Sequence, residues 1–228
     1  MLYIKKFSQS RFIFIDSRVD MVDKAEVKKQ IFEKCIPLIN QKGFHSVSVK
    51  EMTDTAGMSK GSFYNYFPSK EQFGVELINY YAQKTEDALR IRLSDQNLNM
   101  RERFVKVYFY FKEIYDQKGI EGIESILGTF SVELSVVSSD IKNAVDSAYD
   151  RLKGVFEEAF EQGQKNGEIY NHLNKADISE FLLMSWYGAI LRMRASGSFA
   201  TFRLCQDFVL NTVFINNGTK VSVEDFSV

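Results

Sequence analysis

Residues 60–70 concentrate side chains that donate hydrogen bonds: Lys60, Ser62, Tyr64, Asn65, Tyr66 and Lys70, with Gly61 among them. A lysine or a carboxamide can bond to the edges of bases, and tyrosine and serine hydroxyls suit phosphate oxygens. Phe63 and Phe67 are four apart, so on a helix they share one face and anchor it while the polar residues point outward. Lys70 stands beside the free amides that open the following helix, a natural anion site. Ser48 opens the preceding helix in the same way, and Lys50 and Ser59 complete the set. These residue types at these spacings hold an anionic polymer. The plain alternative is a capped helical hairpin whose Tyr-Asn-Tyr surface is merely solvated.

Two short helices position these groups. Ser48-Val49-Lys50-Glu51 is a capping box, in which hydroxyl and carboxylate each satisfy a free amide. The helix it opens stops at Gly57, which can take the positive φ of a tight turn. Ser59 caps the second helix, which Pro68 ends by disfavouring helical geometry at Phe67. Two short helices joined by Ala56-Gly57-Met58-Ser59 form a helix-turn-helix. Val49, Met52 and Phe63 are expected to pack between them and a preceding helix over 23–42. In that helix Val27, Ile31, Cys35 and Leu38 share a face, and Pro37 is expected to loosen its last turn. A second capping box, Ser69-Lys70-Glu71-Gln72, opens a long helix to about Leu93.

Further helical patterns cover 100–117, 121–136, 140–166, 177–196 and 199–215. Gly119, Ser138-Ser139-Asp140, Gly167 and Gly197 punctuate them. Only two prolines occur in the 228 residues, and no segment alternates strictly, so the fold class is all-α. The net charge is −1, yet residues 1–72 carry +4 and the remainder −5. A basic N-terminal part on an acidic body fits a nucleic-acid module joined to something else. Gly-x-Ser-x-Gly, P-loop and Gly-rich dinucleotide turns are all missing. Cys35, Cys205, His45 and His172 are too scattered for a metal site. No cofactor is expected, and both thiols are read as inert and reduced in a cytoplasmic protein. No run approaches the ~20 apolar residues of a membrane span. Phe12–Ile15 is too short for a signal-peptide core, and Met21 is an alternative start.

The run GFHSVSVKEMTDTAGMSKGSFYNYFPSKEQF (43–73) resembles the DNA-binding domain of the TetR family. The matching points are Gly43-Phe44, Ser48-Val49, Ala56-Gly57, Ser59-Lys60-Gly61, Tyr64, Tyr66-Phe67 and Lys70-Glu71. The resemblance implies a repressor of nine or so helices, three of them forming the DNA-binding domain. It also implies a homodimer and a small-molecule inducer. Tyr64, Tyr66 and Lys70 would hold phosphates, and Lys60, Ser62 and Asn65 would lie nearest the bases. GIESILGTFSVELS (122–135) and QKNGEI (164–169) are similar to one common subclass of these regulators. Some of its members carry a cysteine where this chain has Ile123, which argues against thiol-based sensing here.

On this reading residues 1–22 are a disordered extension, 23–70 the DNA-binding domain, 71–216 the ligand-binding and dimerisation domain, and 217–228 a fraying tail. Tyr108, Phe109, Ile126, Phe130, Leu134, Tyr149, Met184, Trp186 and Tyr187 are expected to line an aromatic pocket for a small, largely apolar effector. Phe181, Leu191, Phe202, Phe208, Val209 and Val213 are expected at a two-fold interface, where paired helices make a four-helix bundle. The partner DNA would be a near-palindromic operator with half-sites about 34–36 Å apart. The rival reading is an all-α small-molecule-binding protein or enzyme whose N-terminal helices are structural.

Overall fold

The computed structural model describes residues 17–120, 125–133, 138–215 and 221–226. Among the described residues there are nine α-helices: α1 (Ser17–Lys42), α2 (Val49–Ala56), α3 (Lys60–Tyr66), α4 (Lys70–Leu93), α5 (Met100–Lys118), α6 (Ile126–Val132), α7 (Ser139–Lys165), α8 (Lys175–Ser196) and α9 (Ala200–Thr212). A 3-10 turn follows at Val223–Phe226. None of the helices is long and apolar enough to cross a membrane.

Local sequence accounts for the first breaks. Ser48 and Glu51 form the expected capping box on α2, and Gly57 closes that helix at φ 73°. The Ser59 hydroxyl accepts from the Ser62 N–H at 3.0 Å, and Phe67 turns extended ahead of Pro68. The box at Ser69 is only half made. Ser69 accepts from the Gln72 N–H, but the Gln72 side chain reaches forward to Glu76 at 3.2 Å. Helix α1 begins at Ser17, so its start falls within the segment expected to be disordered, and it runs through Pro37 to Lys42. Residues 1–16 lie outside the described residues.

Helices α1 to α4 close over a cluster of rings. Phe67 and Phe73 lie 5.0 Å apart, and each meets both Phe32 and Phe63 at 5.2–5.6 Å. Each is buried, and rings at these separations attract beyond their burial alone. Cys35 is sealed beneath them with its thiol toward the Met52 carbonyl. The rest of the chain forms a second layer, in which α4 packs on α7, α7 on α8 and α8 on α9. Its centre is again aromatic: Phe104 stacks on Phe160 at 5.2 Å, and Trp186 touches Phe111, Phe156 and Phe202 at 5.1–5.5 Å. Glu86 of α4 binds Arg151 of α7 at 2.7 Å and Arg90 at 2.9 Å, and Arg90 also grips Glu158.

Three expectations change here. Phe202, Val209 and Val213 lie buried inside the chain, not on an open face. The spacing 202-206-209-213 is the stripe of α9 that meets its own α8, so it leaves nothing for a partner. Met184 is 59 % exposed on the outer side of α8, away from any enclosed pocket. The C-terminal segment does not simply trail away, because Asn211 exchanges hydrogen bonds with Val221 at 2.7 and 2.9 Å. Asp207 holds the Val223 N–H at 2.8 Å, and Val223 is fully buried.

Candidate nucleic-acid interface

Helix α3 owes its position to what lies beneath it. Phe63 is fully buried and fixes the rotation of the helix, so Lys60, Gly61, Tyr64 and Asn65 are left exposed and Ser62 and Tyr66 half-buried. Tyr64 is 43 % exposed, its ring edge-on to Phe63 at 5.6 Å. The Lys60 ammonium sits 6.0 Å from the Tyr64 ring centroid, which draws the cation toward the middle of the exposed face. Ser59 and Ser62 share a hydrogen bond at 2.9 Å, so their hydroxyls are spoken for until a stronger acceptor arrives.

Helix α2 contributes its start. The Ser48 hydroxyl and N–H both reach Glu51 at 2.8 Å, and Lys42 closes on the same carboxylate. Those bonds hold the Glu51 carboxyl down at about 2. Lys50 pairs with Asp54 at 2.6 Å on the open surface. The Asp54 hydrogen bond raises its pKa, and an exposed pair of this kind is worth little, so Lys50 can exchange Asp54 for a phosphate.

Lys70 departs from expectation. Its ammonium folds inward over the Phe44 ring, 4.7 Å from the centroid, and donates to the His45 carbonyl at 3.0 Å. Burial lowers its pKa, while Glu133 and Glu51 nearby oppose that shift. Glu133, one residue past the end of α6, accepts from the His45 N–H at 3.0 Å. Its carboxylate lies so close to Gly43, at φ 82°, that any Cβ there would strike it. Phe130 of α6 packs on Phe44 at 4.6 Å, and Thr129 meets Asn40 at 3.4 Å. The turn between α1 and α2 is therefore clamped by α6. Sequence reasoning missed Glu133: it is 88 residues from His45, and a lone glutamate ending a helix carries no local signal.

Most of the aromatic residues named for a pocket belong to the core or pack against it. Tyr108, Ile126, Phe130 and Trp186 are buried, and Phe109, Tyr149 and Tyr187 border the same core. Tyr149 meets Tyr187 at 5.0 Å and shares a hydrogen bond with Ser131. Burial pushes both phenols above their ordinary range, so both stay neutral. Leu134 and Ile123 lie outside the described residues. Burial also pushes the Cys35 and Cys205 thiols up to about 11, which keeps the nucleophilic thiolate scarce.

Residues 31–77 match the family model described as bacterial regulatory proteins, tetR family. That interval spans the buried aromatic cluster, both short helices and the start of α4. The head of the chain is a TetR-type DNA-binding domain. Two similar proteins extend the likeness through the body. The transcriptional repressor DhaR of Mycobacterium sp. (strain GP1) is 29% identical over 171 residues, covering 75% of this chain and 84% of that protein. The repressor NemR of Escherichia coli (strain K12) is 29% identical over 163 residues, covering 70% and 79%. The crystal structure of reduced Escherichia coli NemR superposes with a TM-score of 0.75 at 26% identity, over 82% of this chain and 97% of that one. A TetR regulatory protein from Rhodobacter sphaeroides gives 0.77 at 22% identity over 83% and 99%, a likeness of fold. With that domain and these relatives, the chain is a DNA-binding transcriptional repressor and not an enzyme.

Proposed function

We propose that this repressor works as a two-fold dimer and leaves its operator when a small, largely apolar ligand binds its body. The head, residues 23–70, holds DNA. Lys60, Ser62 and Asn65 meet bases, while Ser48, Lys50, Ser59, Gly61, Tyr64, Tyr66 and Lys70 serve the backbone. The body, residues 71–216, holds the ligand and the partner. A ligand acts only through tighter binding to the state that does not fit DNA. A tenfold loss of operator affinity needs about 1.4 kcal/mol of such preference.

The observation that carries this reading is the clamp of α6 on the α1–α2 turn. Phe130 and Glu133 touch Phe44 and His45, and His45 is the residue that holds Lys70. A change of packing around Phe130 thus reaches a phosphate-binding lysine through two contacts. Trp186, in the aromatic body, buries an indole N–H that meets no acceptor among the described residues. A buried donor without an acceptor is costly, and a ligand carbonyl would satisfy it. Dimerisation is supported by the outer stripe Phe181, Met184, Leu191, Leu204 and Phe208, all exposed on one chain.

Trp186 is the sole tryptophan, so its fluorescence reports occupancy of the body. A screen of hydrophobic compounds should find one that both quenches Trp186 and releases a duplex obtained by in-vitro selection. The Cys35→Ser, Cys205→Ser double variant should respond to it unchanged. Loss of induction in that variant, with DNA binding intact, would overturn a non-covalent, thiol-independent switch.

A further inference from the structure

A cavity of about 520 Å³ opens between the head and the body, away from the aromatic core. Helix α1 supplies Lys34, Pro37, Leu38, Asn40 and Gln41, α2 supplies Thr55, and the body supplies Ile120 and Arg194. Its size falls within the range of pockets that hold small ligands. The chemistry of its wall is lopsided. Two cations, two carboxamides and a hydroxyl face the space, Pro37, Leu38 and Ile120 give it an apolar side, and among the described residues no carboxylate lines it.

Neither cation has an acidic partner among the described residues. Lys34 donates a hydrogen bond to the Ala56 carbonyl at 3.0 Å. Arg194, half-buried at the end of α8, has no acidic partner among the described residues, and Tyr81 is the only described group that favours its charge. Burial alone lowers the pKa of its guanidinium. A partly desolvated guanidinium is a standing cost until it meets an anion, and its planar fork suits a carboxylate in two-point contact.

We propose that this cavity binds a small organic carboxylate with an apolar body, clasped between Lys34 of the head and Arg194 of the body. The position gives binding a consequence. Ala56 ends α2, where the Lys34 ammonium offsets the negative end of the helix and ties α1 to the turn before α3. An anion that draws Lys34 toward Arg194 takes that tie away and fixes the head against α8. The site is separate from the aromatic core. It shares with the repressor reading only the use of operator release as one of its readouts.

The test is calorimetry on the full-length protein with hexanoate, benzoate and cinnamate, each compared with its uncharged amide. At least one acid should bind, and its amide should bind about tenfold more weakly or worse, the loss of about 1.4 kcal/mol. Arg194→Gln and Lys34→Gln should each weaken the acid by a similar factor, and Arg194→Lys should recover part of it. Melting curves establish that the variants fold, and Arg194→Lys guards against a merely structural effect. The bound acid should also lower affinity for the selected duplex. Failure of all three acids, equal binding of acid and amide, or full binding by Arg194→Gln would each overturn the site. Binding of the acid with unchanged DNA affinity would overturn its coupling to the head. A ligand-free protein that holds no duplex would instead overturn the repressor reading and leave the calorimetric result standing.

Discussion

The outer face of α3 and the outer stripe of α8 and α9 both present rings to solvent, but they are built oppositely. On α3 the exposed ring is Tyr64, flanked by Lys60 and Asn65. Lys60 lies by the Tyr64 ring and Ser62 shares a hydrogen bond with Ser59, weak contacts that a phosphate or a base can replace. On α8 and α9 the exposed side chains are Phe181, Met184, Leu191, Leu204 and Phe208, with Phe181 and Phe208 at 6.1 Å. Nothing on that stripe can hydrogen-bond. One face suits a polyanion and salt-sensitive binding. The other suits a second apolar surface, because exposed patches of that kind mark protein contacts. The spacing also differs: Phe181, Met184 and Leu191 stand three and then seven apart along α8, with Gly188 between the last two and open space where its Cβ would be. A second helix could approach closely there.

The comparison breaks most visibly at Phe208. Phe208→Glu buries a charge in the apolar stripe, so sedimentation should show a single chain where the parent shows two. Operator affinity should then fall by about 10²-fold or more, since two half-sites no longer act together. A dimer that survives the substitution would refute the assignment of this face. The second test separates the two kinds of contact on the head. Tyr64→Ala and Lys70→Ala should each cost roughly 1–2 kcal/mol against every duplex sequence. Lys70→Ala should also make the salt dependence shallower by about one unit. Lys60→Ala should mainly relax sequence preference. Unchanged binding in all three variants would remove α3 from the interface.

The smallest effect belongs to the cap that presents α2. Ser48→Ala should lower stability by about 1 kcal/mol. Glu51, on the other side of that cap, is held at about 2 against an ordinary 4.5 by Lys42 and Ser48. A depressed carboxyl stabilises the fold fully above its unfolded value and loses that contribution as pH falls through its folded one. Glu51→Gln should therefore melt below the parent at pH 7, with the gap closing between about pH 4.5 and pH 2. A gap that is constant with pH would show that the charge of Glu51 does not matter.

What the amino-acid sequence determined by itself is the head. Its helices are set by neighbours three or four residues apart: Ser48 with Glu51, Ser59 with Ser62, Phe63 with Phe67, and Gly57 at its positive φ. Contacts that short are written in residue order, so the spacing alone predicts them. The recurrence of apolar residues every three or four positions also marks the later stretches as helical. It could not say which apolar stripe turns inward when a helix carries two. On α9 the stripe through Phe202 and Val209 faces its own α8, and the one through Leu204 and Phe208 faces out, because α5 and α8 already cover the first. Tertiary structure likewise decided the long-range partners: Glu133 on His45, Lys70 folded onto the same residue, Val221 on Asn211, and Lys34 across a cavity from Arg194. Each depends on how whole helices pack, and a single charged or amide side chain leaves no periodic trace of a partner so far along the chain.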